Sequence, residues 1–145
     1  MIKILIASDH AGFELKEKLK KYFVNDYQFH DFGTHSVDSV DYPDFAHNLS
    51  QNISDNKDSF GLLICGSGIG MSMVANRYSC VRAALCLNEK MAKLSREHND
   101  ANVLVLGSRL ISCEEAIKCF IMFFKSKFEG NRHQARLDKF NNVKI

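Results

Sequence analysis

Short apolar runs that have the character of buried strands alternate with segments of helical periodicity along the whole chain. Between these runs, apolar residues recur every three to four positions, which is typical of amphipathic helices. Parallel strands need a crossover between them, so this alternation predicts a parallel sheet with helices on both faces. The predicted strands span residues 2–7, 28–33, 60–65, 81–87 and 103–106.

Local signals mark several of the predicted helices. Pro43 suits the first turn of a helix that carries Ile53 on its apolar face. Ser112 and Glu115 have the spacing of a capping box after the fifth strand, and a polar helix is predicted over 132–140. With right-handed crossovers, the elements predict a Rossmann-like three-layer α/β/α sandwich with a five-stranded parallel sheet and a C-terminal helix.

Composition narrows the class of protein. A length of 145 residues with 46% apolar content fits one compact domain, residues 1–145. The net charge of +2 indicates no nucleic-acid partner, and no apolar run reaches the roughly 18 residues of a membrane span. The N-terminus lacks the pattern of a signal peptide, and the five cysteines form no Cys-x-x-Cys pair. We therefore expect a reduced, cytoplasmic protein.

Polar residues follow the predicted strands at their carboxyl ends. In an open parallel sheet, ligands bind beyond these ends, so residues placed there are expected to share one rim. The candidates are Asp9 and His10 after the first strand, Cys65 and the loop 66–70 at the third, Asn88 after the fourth, and Arg109 after the fifth.

The loop Gly66-Ser67-Gly68-Ile69-Gly70 is the strongest chemical signal. Its alternate glycines let the backbone approach a ligand and direct N–H groups at it. The loop also begins a predicted helix, whose N-terminus adds partial positive charge. This environment favours an anion and equally favours a thiolate at Cys65. A tight strand-to-helix turn behind a structural cysteine is the alternative interpretation.

Other chemistries lack their motifs. No Gly-Lys-Ser/Thr ending follows the loop, which excludes a Walker A site, and no Gly-x-Ser-x-Gly nucleophile elbow is present. The six histidines do not fall at i, i+4 spacing and the cysteines do not cluster, so no metal is expected. The loop is one residue short of a dinucleotide fingerprint, and Glu89 lies about where a ribose-binding acid belongs. A non-catalytic nucleotide-binding domain therefore stays open.

Further polar residues fit a structural and a chemical role alike. Asp9 is suited to capping the first helix. His98 continues the apolar stripe of the helix after the fourth strand, yet imidazole is also the usual acid–base group near neutral pH. Asn99 is a candidate C-cap of that helix. Arg132 and Arg136, four residues apart, project from one helix face, which is either solvated or a fork for phosphate.

Six segments occur in the order found in one known family. They are residues 8–12, 41–43, 65–70, 95–100, 107–109 and 132–136. Together they cover essentially the whole chain, which resembles type B ribose-5-phosphate isomerase, within the wider family that includes galactose-6-phosphate isomerase subunits. Met71 stands where some members carry a catalytic glutamate, so the chain resembles the members that use a cysteine.

The resemblance implies an aldose–ketose isomerase of the pentose phosphate pathway. Its substrate is a small sugar phosphate, ribose 5-phosphate or ribulose 5-phosphate, and it needs neither a metal nor another cofactor. The family forms homodimers or homotetramers with the active site at the subunit interface. A hexose 6-phosphate, of galactose or allose, stays open as the substrate, because one extra carbon needs only a small change in the pocket.

The resemblance also implies roles for individual residues. Cys65 is the base that moves a proton between C1 and C2, and His98 is the acid that opens the sugar ring, with Asp9 as proton acceptor. In the family, the elements that match His98, Asn99 and Arg109 come from the partner subunit. The enediolate oxygens are held by Asn99 and by the loop residues Gly66, Ser67, Gly68, Ile69 and Gly70. The phosphate is bound by His10, Arg109, Arg132 and Arg136, and the pocket is lined by Tyr42 and His133.

Overall fold

Five strands form the sheet in a computed structural model that describes residues 1–54, 56 and 58–144. They are β1 (Lys3–Ser8), β2 (Gln28–Asp31), β3 (Phe60–Cys65), β4 (Ala83–Leu85) and β5 (Val103–Gly107). The sheet order is β2-β1-β3-β5-β4, and every neighbouring pair is parallel. The predicted five-stranded parallel sheet is confirmed.

Six helices within the described residues cover this sheet. They are α1 (Phe13–Tyr22), α2 (Tyr42–Ser50), α3 (Ile69–Ala75), α4 (Glu89–Asn99), α5 (Cys113–Lys125) and α6 (Arg132–Leu137). Successive strand residues point to opposite faces, so Leu62 packs in a core with α1, α4 and α5, whereas Leu63 packs in a second core with α2 and α3. Two separate cores on one sheet confirm the three-layer α/β/α sandwich. Within the described ranges, no helix combines the length and apolar content needed to cross a membrane.

The largest departure from the predicted elements is β4, which spans three residues rather than 81–87. The Val81 amide donates to the carbonyl oxygen of Tyr78 in a turn, at 3.0 Å. The Asn76 side chain then accepts from the Ala83 amide at 2.8 Å and donates to the Ala83 carbonyl at 2.9 Å. β4 is an edge strand, and this side chain takes backbone groups that a further strand would otherwise pair.

Other predicted boundaries also differ. The strand β2 ends at Asp31, α2 ends at Ser50 before Ile53, and α6 ends at Leu137. The capping box forms only in half. The Ser112 hydroxyl accepts from the Glu115 amide at 3.1 Å, whereas the Glu115 carboxylate accepts from the Glu89 amide at 3.0 Å. Glu115 therefore joins the starts of α4 and α5 instead of closing its own cap.

A buried lysine fixes the segment that follows β2. The Lys16 ammonium is fully buried and donates to Asp31 at 2.7 Å and to the Thr34 carbonyl at 2.6 Å. Burial alone would raise the pKa of Asp31, but hydrogen bonds from Lys16 and Lys20 outweigh it and hold that pKa below its ordinary value. The Thr34 amide in turn donates to the Ser8 carbonyl at 2.8 Å, so this ion pair supports the end of β1.

Candidate active site

An open cavity of about 540 Å³ lies where β1, β3 and β5 end. The sequence places several candidate site residues at this rim. Most of these residues line the cavity, as does Tyr42, which the family resemblance assigns to the pocket. They are Asp9, Tyr42, Cys65, Gly66, Ser67, Ile69, Gly70 and Arg109. The rim rule for parallel sheets therefore finds the cavity correctly.

Cys65 is held at the base of this cavity by the glycine loop. Its side chain is 5% exposed, and its Sγ accepts from the Gly68 amide at 3.2 Å. Gly68 has a φ of 77°, and a Cβ there would lie 3.2 Å from the Leu106 carbonyl carbon, so only glycine fits. The Ser67 hydroxyl accepts from the Ile69 amide at 3.2 Å, so a second hydrogen bond holds the loop in its turn.

Asp9 and His10 follow β1 with different surroundings. The Asp9 carboxylate accepts from the Gly12 amide at 3.0 Å, which closes a turn before α1 and leaves Asp9 among the lining residues. The His10 ring is not among the lining residues of the cavity in the described chain, and its Nδ1 accepts from the Val40 amide at 3.1 Å. A neutral His10 therefore carries its proton on Nε2.

Arg109 lies in the same chain as the cavity that it lines, whereas the family resemblance attributes it to the partner subunit. Its amide donates to the Gly66 carbonyl at 2.9 Å, and a Cβ on Gly66 would lie 2.9 Å from the guanidinium. The short β5-to-α5 loop therefore brings Arg109 to its own Cys65 loop. The prediction for Asn88 is also wrong, because its side chain accepts from the Met91 amide at 2.9 Å and caps α4 away from the cavity lining.

The remaining candidates lie at the other end of the sheet. The helix α4 begins after the carboxyl end of β4 and returns toward the start of β5, so its 11 residues end about 16 Å away from its start. His98 and Asn99 are its last residues and are absent from the cavity lining in the described chain. Asn99 is not the C-cap, because Asp100 takes the left-handed conformation with a φ of 46°.

The stripe of Met91, Leu94 and His98 is not the buried face of α4. The helix instead buries Ala92, Ser95 and Arg96. The Arg96 guanidinium lies 5.0 Å from the Phe60 ring and donates to the Ala101 carbonyl at 2.6 Å, so its charge is satisfied inside the fold. Met91 remains 40% exposed and His98 lies on an accessible face.

A histidine pair joins α4 to α6. The rings of His98 and His133 stack with centroids 4.4 Å apart and planes inclined by 17°. His133 is buried, and its Nε2 has no hydrogen-bond partner among the described residues. Burial first, and then the charge of Arg132, lowers the pKa of His133 below its ordinary value.

Glu129 is a polar group of this region that the sequence analysis missed. Its carboxylate lies 3.4 Å from His98 Nε2, and one ligand-type atom of each of His98, Glu129 and His133 lies within 4.8 Å of the others. Tertiary packing, not helical spacing, brings these groups together, so a spacing argument could not find them. The neighbouring charges of Arg132 and Arg136 oppose a cation at this cluster.

Comparisons with known proteins relate this chain to sugar-phosphate isomerases. A family model described as Ribose/Galactose Isomerase matches residues 4–140. A putative sugar phosphate isomerase from Rickettsia bellii is 45% identical over 94% of this chain and 95% of its own length.

Solved structures extend the likeness to three dimensions. The crystal structure of a ribose 5-phosphate isomerase from Thermotoga maritima has a TM-score of 0.93 and 51% identity, covering 98% of this chain and 99% of that one. Ribose-5-phosphate isomerase B from Mycoplasma genitalium, solved with bound ribulose-5-phosphate, has a TM-score of 0.91 and 43% identity, covering 97% and 94%. The chain therefore belongs to the ribose/galactose isomerase family.

Proposed function

We propose that this chain is a type B ribose-5-phosphate isomerase, which interconverts ribose 5-phosphate and ribulose 5-phosphate without a metal or other cofactor. The observation that carries the proposal is the buried Cys65 Sγ, held by the Gly68 amide at the base of the cavity. The similarity to an isomerase with bound ribulose-5-phosphate supports the substrate. All five thiols are unpaired, in keeping with the expected cytoplasmic location.

The chemistry of the step explains this arrangement. Removing the C2 proton of the open-chain aldose leaves negative charge on the carbonyl oxygen. Preorganised N–H groups of the loop 66–70 stabilise that charge without the reorganisation that water requires. Cys65 takes the proton from C2 and returns it to C1, while the Ser67 hydroxyl, together with Asn99 from a second copy of the chain, binds the enediolate oxygens. The phosphate supplies remote binding energy that holds C1 and C2 against Cys65.

In the proposed mechanism, ring opening requires a residue from a second subunit. His98 is the acid for that step, yet it lies at the far end of α4 from its own Cys65. Apolar side chains surround the cavity in exposed positions, with Ile69 47% exposed, Met73 64% and Leu110 56%. A second copy that covers these side chains would bring its own His98 to Cys65. We therefore infer a homodimer, or a homotetramer built from such dimers, with shared active sites.

Arg132 and Arg136 accompany His98, because α6 packs against α4 through the stacked histidines. In the assembled site they bind the phosphate together with His10 and Arg109. Tyr42, which lies against Gly70, and His133 complete the walls of the pocket.

The test of the function is an isomerisation assay in the presence of a chelator. We expect turnover of ribose 5-phosphate that survives EDTA, because every proposed step uses side chains and backbone of the protein. Galactose 6-phosphate and allose 6-phosphate serve as comparison substrates. Turnover of a hexose phosphate alone would overturn the substrate assignment. Stabilisation by nucleotides with no turnover of any sugar phosphate would indicate a binding domain instead.

The phosphate assignment makes a separate prediction for Arg132. The Arg132→Ala variant is expected to raise KM at least about tenfold, since a charge-assisted hydrogen bond contributes roughly 1.5–3 kcal/mol. We expect kcat to change much less, because the guanidinium does not touch the reacting carbons. Lys139→Ala, an exposed cation in the same C-terminal segment, is the matched control. An unchanged KM for Arg132→Ala and for Arg136→Ala would place the phosphate elsewhere.

A further inference from the structure

Glu129 is anchored beside His98 by its own backbone. It lies in the connection between α5 and α6, and its amide donates to the Glu97 carbonyl at 3.0 Å. The residue before His98 thus fixes the chain that carries the carboxylate. From this anchor, Glu129 Oε1 reaches to 3.4 Å from His98 Nε2.

The opposite side of the His98 ring is also fixed. His133 stacks on it at 4.4 Å between centroids, and His133 itself is 7% exposed, so the stack is held by a buried partner. The His98 imidazole therefore has a ring on its face and a carboxylate at its edge. Contacts of both kinds restrict the ring to one orientation.

Charged side chains of both signs surround the pair of His98 and His133. Arg132 and Arg136 on α6 add positive charge next to the two histidines. The Glu129 carboxylate is the negative charge set against these two guanidinium groups. Among the described residues, Glu129 is the carboxylate within ion-pair distance of His98.

We propose that Glu129 is a positioning residue for His98, which orients the imidazole for ring opening. The assignment rests on the proposed function. In that step the C1 hydroxyl loses its proton to Asp9, the C1–O4 bond breaks as C1=O forms, and O4 takes the proton from His98. Glu129 touches neither the sugar nor the proton that is transferred.

The test measures two rates on the same protein, one that needs ring opening and one that does not. Isomerisation of ribose 5-phosphate requires the ring to open. Exchange of the C1 proton of ribulose 5-phosphate with deuterated water requires only Cys65, because this ketose is acyclic. Glu129→Gln is expected to lower kcat for isomerisation about tenfold while C1 exchange stays within about twofold. Glu129→Asp, which keeps the charge, should recover part of the isomerisation rate.

Glu97→Gln is the matched control, because it removes a carboxylate next to His98 in the chain without touching the pair at Glu129, and it should leave both rates unchanged. Equal loss of both rates in Glu129→Gln would show a general structural defect and overturn the assignment. An unchanged isomerisation rate would overturn it as well, while leaving the proposed function intact. A wild-type protein that shows neither rate would instead refute the proposed function, and this assignment with it.

Discussion

Replacing Cys65 by alanine is expected to lower kcat for ribose 5-phosphate by about 10²–10⁴-fold, the range attributed to a positioned general base. The Sγ atom is the proposed proton carrier, and the Asp9 carboxylate that also lines the cavity is not placed to replace it. Asp9 is held by the Gly12 amide at 3.0 Å in the turn before α1. Initial rates at saturating substrate measure the effect, and the fold should survive because only one sulfur atom is lost from the base of the cavity.

Cys86→Ala is the matched control for this experiment. Burial raises the pKa of the Cys86 thiol to about 11 and that of the Cys119 thiol to about 12, so both remain protonated at neutral pH. Cys86 is as buried as Cys65 but lies in the core with α4 and α5. Near-native turnover in Cys65→Ala, or an equal loss in Cys86→Ala, would contradict the assignment of the base.

A second large effect is expected when two inactive variants are combined in one dimer. Cys65→Ala and His98→Asn each remove one half of the proposed proton-transfer site. In a dimer of one copy of each, one of the two sites pairs an intact Cys65 with an intact His98 from the other chain. Co-expression with two different affinity tags and sequential purification isolates this mixed dimer. We expect about half of the wild-type kcat per dimer, from parents with almost no activity.

The same purification supplies the control for the mixed dimer. Dimers in which both differently tagged copies carry Cys65→Ala should stay inactive, because neither site then has a base. A mixed Cys65→Ala and His98→Asn dimer without recovered activity would mean that Cys65 and His98 do not meet across an interface. That result would refute the shared site while leaving the single-chain geometry around Cys65 in place.

The sequence predicts the centre of this fold better than its edges. Phe60–Cys65 is predicted with the observed boundaries, because a fully buried strand and the glycines that follow it are both local signals. The strand β4 is much shorter than predicted, since the Val81 amide turns back to the Tyr78 carbonyl and the Arg82 amide donates to the Asn102 side chain. Apolar periodicity carries no information about such side-chain competition. The single domain spanning 1–145 stays a prediction.

The sequence likewise predicts some residues of the candidate site and misses others. The rim rule places Asp9, Cys65 and Arg109 together from chain order alone, because parallel strands end at one edge. Asn88 shows where the rule fails, since the preference of asparagine for helix N-caps decides its contact. Glu129 had no local signal. Its contact with His98 depends on how the connection between α5 and α6 folds back, which only the tertiary structure gives.

Deuterium incorporation at C1 of ribulose 5-phosphate tests the role of Cys65 most directly. The substrate is acyclic, so the measurement reports proton transfer at carbon without any contribution from ring opening. Wild-type protein in deuterated water is expected to place deuterium at C1 under the same conditions in which it forms ribose 5-phosphate. Cys65→Ala is expected to abolish this incorporation, whereas Cys86→Ala is expected to retain it. Incorporation at the wild-type rate by Cys65→Ala would show that another group moves the proton.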